Sequence, residues 1–238
     1  MTPKARATLV VALFAGIPAV VLGLAGFVIG GVLLGVVLLV VVGAALAVWA
    51  RFGGERRVLA VIGGRDADPV ADARLWNLVE GLSIGAGVRQ PRLRVLDTPS
   101  LNALAAGTSP SRAIVGVTSG LLAELDRIEL EAVLAEELIQ VRRHETLPGT
   151  VLAATFGLGR AAALPGDLDA GADQAAVALT RYPPALASAL EKLEAKGAAV
   201  PGQPAYMAHL WLADPNAPPV AGRGRLPLRD RIEALREL

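Results

Sequence analysis

One uninterrupted apolar stretch dominates the start of the chain. Residues 7–50 contain no charged side chain and consist mainly of Val, Leu, Ile, Ala and Gly. A transmembrane helix needs ~20 apolar residues, so this stretch is too long for one span and suits two. We predict membrane-spanning helices at residues 7–27 and 32–50, with a turn at Gly30 and Gly31. A cleaved signal peptide fits less well, because its apolar core is shorter and a cleavage site should follow.

After the apolar stretch, the pattern changes to that of a folded domain. Residues 51–68 are polar and contain two Gly-Gly pairs, which is typical of a linker. Asp68 and Pro69 provide an N-cap and a first-turn proline for a helix with one apolar face. Strands are predicted at residues 92–96, where polar and apolar positions alternate, and at residues 113–118. A helix followed by strands indicates an α+β domain.

The helix around which this domain is organised is predicted at residues 126–145, DRIELEAVLAEELIQVRRHE. It opens with a capping-box pattern, an Asp followed three residues later by a Glu. Apolar residues then recur at helical spacing, so one face is buried. At about 100° per residue, Glu137 falls inside that apolar face, while Glu136 and Gln140 follow each other along its edge. A carboxylate on a buried face needs a structural or functional reason.

The second half of the domain is predicted to be helical, with one long loop. Residues 150–164 are apolar but too short for a third span and contain an arginine, so we predict a buried helix. Further helices are predicted from Pro183 onward and at residues 228–238. Residues 200–227 are rich in Pro and Gly and predict a long loop, in which Trp211 is packed as an anchor.

Charge and cysteine content narrow the class of protein. The chain has 23 Lys and Arg residues against 22 Asp and Glu, and this balance gives no case for nucleic-acid binding. Basic residues flank the apolar stretch on both sides, at Lys4, Arg6, Arg51, Arg56 and Arg57. The positive-inside rule then predicts that both ends of the stretch, and with them the folded domain, lie in the cytoplasm. We expect a multi-pass protein of the plasma (inner) membrane. The absence of cysteine excludes disulfides, thiolate metal ligands and cysteine catalysis.

Two long segments of the chain carry a family resemblance. They are LVEGLSIGAGVRQPRLRVLDTPSLNALAAG at residues 78–107 and AIVGVTSGLLAELDRIELEAVLAEEL at residues 113–138. Both resemble the HtpX-like membrane zinc metallopeptidases, in the same order and with the same spacing over about 60 residues. We therefore predict three parts: a transmembrane helical hairpin at residues 1–50, a linker at residues 51–68 and a folded domain at residues 69–238. The resemblance implies that this domain is a mainly helical zincin-like metallopeptidase domain with a small β-sheet.

The catalytic motif of that family is altered in this chain. The matching family helix carries a His-Glu-x-x-His motif, in which both His bind Zn²⁺ and the Glu is the general base. Matched residue by residue, Glu136 and Gln140 stand at the two His positions, and Glu137 is the retained Glu. Later in the chain the family has a Glu-x-x-x-Asp motif, in which the Glu is the third zinc ligand and the Asp supports a ligand. In this chain Asp169 stands at the position of that Glu, and Asp173 is the retained Asp. A second interpretation of these two aspartates, as carboxylates that favour a helix start, stays open.

The altered positions offer only oxygen atoms, whereas zinc sites of this type use nitrogen. We therefore predict no zinc or other cofactor, and a pseudopeptidase in which Glu137 is a vestigial general base. Without a cation, the charges of Glu136 and Asp169 should be relieved by protonation or by pairing with an arginine such as Arg143 or Arg225. The alternative is a metalloendopeptidase with altered ligands that acts on membrane or misfolded proteins, as in protein quality control.

The resemblance also implies a peptide-binding groove. In the family the substrate lies as an extra strand along the edge strand that corresponds to residues 113–118. Strand addition uses backbone groups, which survive the loss of catalytic side chains. We predict that this edge is open and binds a peptide or a partner membrane protein. The other predicted partner is the lipid bilayer. A third hypothesis is a structural membrane protein whose groove is filled by its own chain. The residues expected at the groove are Asn102, Ala103, Ile114, Val115, Gly116 and Val117.

Overall fold

The computed structural model describes residues 2–158, 168–216 and 226–238, without the side chains of residues 168–170. Within these ranges the helices are α1 (Pro3–Ile62), α2 (Ala73–Ala86), α3 (Ser119–Glu124), α4 (Arg127–Arg142), α5 (Thr146–Ala154), α6 (Leu168–Thr180), α7 (Pro183–Lys196) and α8 (Leu228–Arg236). The strands are β1 (Arg65–Asp66), β2 (Arg92–Leu96), β3 (Ala103–Ala106) and β4 (Ile114–Thr118). A mainly helical domain with one small sheet confirms the predicted α+β class.

The apolar stretch forms the first part of α1, and its helical geometry is interrupted at Gly31. This residue has φ 79° and ψ −172°, a conformation that glycine adopts without steric cost. Glycines on either side of the interruption meet: a Cβ on Gly35 would lie 2.8 Å from the carbonyl oxygen of Gly23. A Cβ on Gly43 would lie 3.3 Å from the Cβ of Ala19. The two arms of α1 therefore lie against each other on either side of Gly31.

The predicted linker is mostly helical, because α1 continues to Ile62. Four buried residues at four-residue spacing form a stripe along this part of the helix: Ala50, Gly54, Val58 and Ile62. Residues at this spacing share one face, so the end of α1 has a buried face like any core helix. A Cβ on Gly54 would clash with the carbonyl oxygen of Thr150 in α5. The small residues of the stripe weaken its apolar signal, and sequence reasoning therefore missed it.

The four strands form one mixed sheet in the order β1-β2-β4-β3. Strand β2 pairs in parallel with β4, and β3 pairs antiparallel with β4, so β4 has a neighbour on each side. The prediction that residues 113–118 form an open edge strand is therefore wrong. The strand on its outer side, β3, has the sequence ALAA, in which neither alternation nor β-branched residues signal a strand.

The sheet is covered on both faces. Ala103 and Ala105 of β3 belong to the main core, which packs against α2, α4, α7 and α8. Leu104 and Ala106 of the same strand belong to a second cluster with the end of α1 and the fully buried Trp211. Alternate residues of a strand point to opposite faces, which explains why all of β3 is buried. The prediction that Trp211 is a packed anchor is confirmed.

Two predicted helices agree with the structure in part. Asp126 caps α4: its carboxylate accepts from the backbone N–H of Glu129, whose side chain accepts from the N–H of Asp126, both over 2.8 Å. The helix ends at Arg142, because His144 has a left-handed φ of 60° and turns the chain into α5. All of α5 is buried, as predicted for residues 150–154, but the helix ends at Ala154, and Phe156 and Leu158 in the turn that follows are exposed, which corrects the predicted helix there. Residues 159–164 of that prediction lie outside the described residues.

A cluster of charges joins β1 to β2. The Asp66 carboxylate accepts hydrogen bonds from the Arg92 guanidinium at 2.9 Å and from Arg94 Nη1 at 3.0 Å. These hydrogen bonds lower the pKa of Asp66 to about 2. Because this pKa is depressed in the folded state, the pairing stabilises the fold above the unfolded value of ~3.9. The contribution is lost as the pH falls through about 2.

We expect the Asp66→Asn variant to be less stable than the wild type at pH 6, by no more than about 1 kcal/mol because the carboxylate is exposed. The difference should shrink as the pH is lowered from 4 to 2. Thermal unfolding in detergent, followed by circular dichroism, measures both values. The exposed Asp230→Asn variant is the control for loss of a carboxylate elsewhere. A difference that stays constant down to pH 2 would contradict the assignment.

Candidate functional site

The acidic pair on α4 lies inside the folded domain. Glu136 and Glu137 are fully buried, and Gln140 is only 7% exposed. Glu136 and Gln140 are one turn apart and share a face of the helix. Gln140 Nε2 donates to Glu136 Oε1 over 2.8 Å. The predicted burial of Glu137 is confirmed, and the edge positions of the predicted apolar face are buried as well.

A buried arginine from α8 faces this pair. Arg231 is 1% exposed, and its Nη2 lies 3.5 Å from Glu136 Oε1. Its Nε and Nη2 donate to the two carboxylate oxygens of Asp173 on α6, over 2.8 and 2.7 Å. Nη1 donates to the carbonyl oxygen of Leu212 over 2.7 Å. We call Glu136, Gln140, Asp173 and Arg231 the buried charge cluster.

Arg231 is not one of the arginines that the sequence suggested for this role. Arg143 pairs with Glu145 instead, at 3.0 Å, and Arg225 lies outside the described residues. Asp169 belongs to α6 by its backbone, but its side chain also lies outside the described residues. The packing of α8 against α7 and α6 brings the Arg231 side chain to Glu136 on α4, so no local pattern could have identified it.

The described side chains at this site do not fit a zinc ion. Zn²⁺ prefers nitrogen or thiolate ligands, and the positions on α4 provide a carboxylate and an amide. The carboxylate oxygen nearest the guanidinium also accepts the hydrogen bond from Gln140. A guanidinium is permanently charged and would repel a metal ion at this place. Among the described residues there is no group of three or more His, Cys, Asp or Glu side chains that could hold a metal ion.

The residues predicted at the peptide groove are part of the covered sheet. All six are buried: Asn102, Ala103, Ile114, Val115, Gly116 and Val117. Asn102 holds a neighbouring segment in place: its side-chain Nδ2 donates to the carbonyl oxygen of Ala213 over 2.9 Å, and its Oδ1 accepts from the Ala213 N–H. These residues are structural and face the protein's own chain.

Two residues lie at the outer edge of β3, Trp211 and Leu212, directly after a 3-10 helix at Ala205–Leu210. Leu212 N–H donates to the carbonyl oxygen of Ala103 over 2.8 Å, and Trp211 forms a β-bridge with Leu104. Just past β3, the N–H of Gly107 donates to Thr150 Oγ1 over 2.7 Å. Part of the predicted loop at residues 200–227 thus lies where an added peptide strand would bind.

The sequence comparisons assign these features to a family. Residues 69–189 match the sequence profile of Peptidase family M48, which covers α2 to the first half of α7 and includes the α4 positions of the charge cluster. The chain therefore belongs to peptidase family M48. A comparison with solved structures finds no match.

The relatives it resembles are HtpX homologues, which confirms the resemblance seen in the sequence. A protease HtpX homologue of Tropheryma whipplei is 33% identical over 209 residues, 69% of this chain and 70% of that protein. One of Dictyoglomus thermophilum is 32% identical over 235 residues, 79% and 77% of the two chains. One of Streptococcus thermophilus is 36% identical over 138 residues, 56% and 46% of the two chains.

Proposed function

We propose that this protein is a membrane-anchored pseudopeptidase, an HtpX-like member of family M48 whose substrate edge is filled by its own chain. The observation that carries the proposal is Arg231 within the buried charge cluster, 3.5 Å from Glu136 and bonded to both oxygens of Asp173. The family resemblance assigns Glu136 to a metal-ligand position and Asp173 to a position that supports a ligand. In this protein both residues face Arg231 instead. The protein then acts through its surface and its attachment to the membrane, and not by cleaving peptides.

The chemistry of the charge cluster supports the loss of peptidase activity. A zinc peptidase needs a metal that lowers the pKa of its bound water toward ~7, and a base that takes the proton. Glu137 has the position of that base, but the oxygen ligands beside it suit metals that activate water less. Admitting a metal cation would displace the Arg231 guanidinium from Asp173 and Glu136, and this buried positive charge would then lose its counter-ions.

The filled edge supports the second part of the proposal. At the outer edge of β3 the carbonyl oxygen of Ala103 already accepts from the N–H of Leu212, and Leu104 forms a β-bridge with Trp211. This favours the hypothesis of a groove filled by the protein's own chain over that of an open peptide-binding edge. The segment is held from the side by Asn102, which bonds Ala213 through both ends of its amide.

Helix α1 supports the proposed membrane anchor. It is the one helix of the described residues that is long and apolar enough to cross a membrane. Its apolar side chains are widely exposed, with Val28 and Ile29 near the turn each 82% exposed. We infer two spans that turn at Gly31, and both flanks of the apolar stretch are basic, which favours a cytoplasmic folded domain.

Casein cleavage in detergent tests the loss of activity. We expect the purified full-length protein to leave casein intact with and without added Zn²⁺, because the charge cluster cannot present a metal-bound water. The Glu137→Gln variant should behave in the same way. An active M48 relative, assayed in parallel, is the positive control. Cleavage by the wild type that a chelator blocks and Glu137→Gln abolishes would instead establish the metalloendopeptidase with altered ligands.

Disulfide cross-linking tests the hairpin, and the chain has no native cysteine to interfere. In the Ala19→Cys/Gly43→Cys variant the two Cβ atoms should lie close to the distance of a disulfide. We expect oxidation in membranes to protect both thiols from a maleimide reagent. Ala19→Cys/Val36→Cys is the control, since its second position lies ~10 Å further along the helix. If the maleimide reagent labels the thiols of both oxidised variants equally, the two arms of α1 do not lie against each other.

A further inference from the structure

A cavity of about 580 Å³ opens where the two arms of α1 meet the folded domain. Its walls come from the start of the first arm, from the end of the apolar stretch on the second arm, from the loop after β3 and from the start of α5. It shares no residue with the buried charge cluster. A cavity of this size is typical of a site for a small molecule.

Two cations line this cavity without an acidic partner. Lys4 on the first arm and Arg51 on the second are both exposed, and neither forms an ion pair with a described residue. The carboxylate of Glu55 nearby is already engaged, since Arg112 pairs with it at 2.9 Å. Among the described residues, no carboxylate therefore compensates these two positive charges, one from each arm.

Polar groups of the folded domain line the cavity together with Lys4 and Arg51. The Thr108 hydroxyl donates to Glu55, and the Ser109 hydroxyl, which lies 3.1 Å from the Ser111 hydroxyl, and the His144 imidazole also line the cavity. The Nδ1 atom of His144 is shielded from solvent and has no hydrogen-bond partner among the described residues. Cations together with hydroxyl and imidazole groups are the donors that phosphate oxygens accept from. The polar wall thus matches a phosphate group.

The remaining wall is apolar and continues onto the outer surface of α1. Val11 and Val48 line the cavity from the two arms. Phe52 of the cavity wall is half exposed, as is Trp49 three residues earlier in α1, whose Nε1 donates to the carbonyl oxygen of Ala154 over 3.2 Å. Exposed aromatic rings at the end of an apolar helix are typical of the membrane–water interface. The cavity is polar toward the domain and apolar toward the proposed bilayer.

We propose that this cavity binds one anionic phospholipid, with its phosphate between Lys4 and Arg51 and an acyl chain along Val11 and Val48. The inference rests on the membrane hairpin of the proposed function, because the hairpin places the cavity at the depth of the lipid headgroups. Basic pockets between membrane helices on the cytoplasmic side bind anionic headgroups in this way. The lipid would contact both arms of α1 and the folded domain, and so fix their junction.

Native mass spectrometry of the full-length protein tests the site, using nanodiscs with equal amounts of phosphatidylglycerol and phosphatidylcholine. The wild type should retain one phosphatidylglycerol molecule in preference to phosphatidylcholine. In the Lys4→Ala/Arg51→Ala variant we expect about tenfold less of this adduct, since each basic residue near the headgroups adds to the attraction. The matched control is Arg6→Ala/Arg56→Ala, which likewise removes one charge from each flank of the apolar stretch, but outside the cavity. It should keep the adduct.

Three outcomes would overturn the lipid site. Equal loss of the adduct in both double variants would show a general attraction of the basic surface. Retention of glycerol 3-phosphate as well as the lipid would show a site for free phosphate. An inserted wild type without enriched phosphatidylglycerol would refute the site alone. Membrane insertion is measured separately by extraction at alkaline pH, and release of the wild type there would refute the hairpin of the proposed function instead.

Discussion

The Arg231→Met variant is expected to lose about 3–5 kcal/mol of unfolding free energy, because it removes the cation from a buried ion pair. Asp173 would lose both of its short hydrogen bonds, and Glu136 would lose the positive charge 3.5 Å away. Urea unfolding of the full-length protein in detergent, followed by tryptophan fluorescence, measures the loss. The control is Arg229→Met on the same helix, whose side chain is 79% exposed. It should change stability by less than about 0.5 kcal/mol.

A combined variant separates loss of the ion pair from loss of packing. In Arg231→Met/Asp173→Asn/Glu136→Gln the carboxylates are neutral, so no charge is left buried without a counter-ion. We expect this triple variant to regain a substantial part of the stability lost in the single variant, since neutral replacement of a whole buried ion pair is often tolerated. A triple variant less stable than Arg231→Met would show that Arg231 acts by packing alone.

The Trp211→Ala variant should lose about 3–5 kcal/mol, the usual cost of emptying the space of a buried aromatic residue. Trp211 is fully buried in the second cluster and bridges to Leu104 at the outer edge of β3. Its loss should also release the segment that covers this edge. Hydrogen exchange followed by mass spectrometry should then show faster exchange of the peptide that contains Ala103–Ala106.

Two further variants make this result specific. Trp211→Phe should cost less than Trp211→Ala, because it keeps most of the buried area and removes an indole N–H that has no hydrogen-bond partner among the described residues. Trp49→Ala removes a residue of the same type that is 52% exposed, and it should leave exchange at β3 unchanged. Unchanged exchange at β3 in Trp211→Ala would contradict the role given to Trp211 in covering the edge.

Several features of this protein could be predicted from the sequence because they depend on neighbouring residues. The break of α1 at Gly31 follows a Gly-Gly pair inside a stretch too long for one span. The start of α4 follows from Asp126 and Glu129, which satisfy each other's backbone groups within one turn. The burial of Glu137 follows from its place within an apolar face. Family membership could also be predicted from the sequence, because residues 78–107 and 113–138 match the family in order and spacing.

Other features were decided only by the tertiary structure, because they join residues far apart in the chain. Strand β3 has no local signal, yet it pairs with β4 and turns the expected edge strand into a central one. The segment around Trp211 covers the new edge, although its sequence predicts only a loop with an anchor. Arg231 meets Glu136 because α8 packs beside α7 and α6, which carries this side chain to α4. Periodicity and capping are set by residues within a few positions, whereas strand neighbours and buried ion pairs depend on how the elements pack.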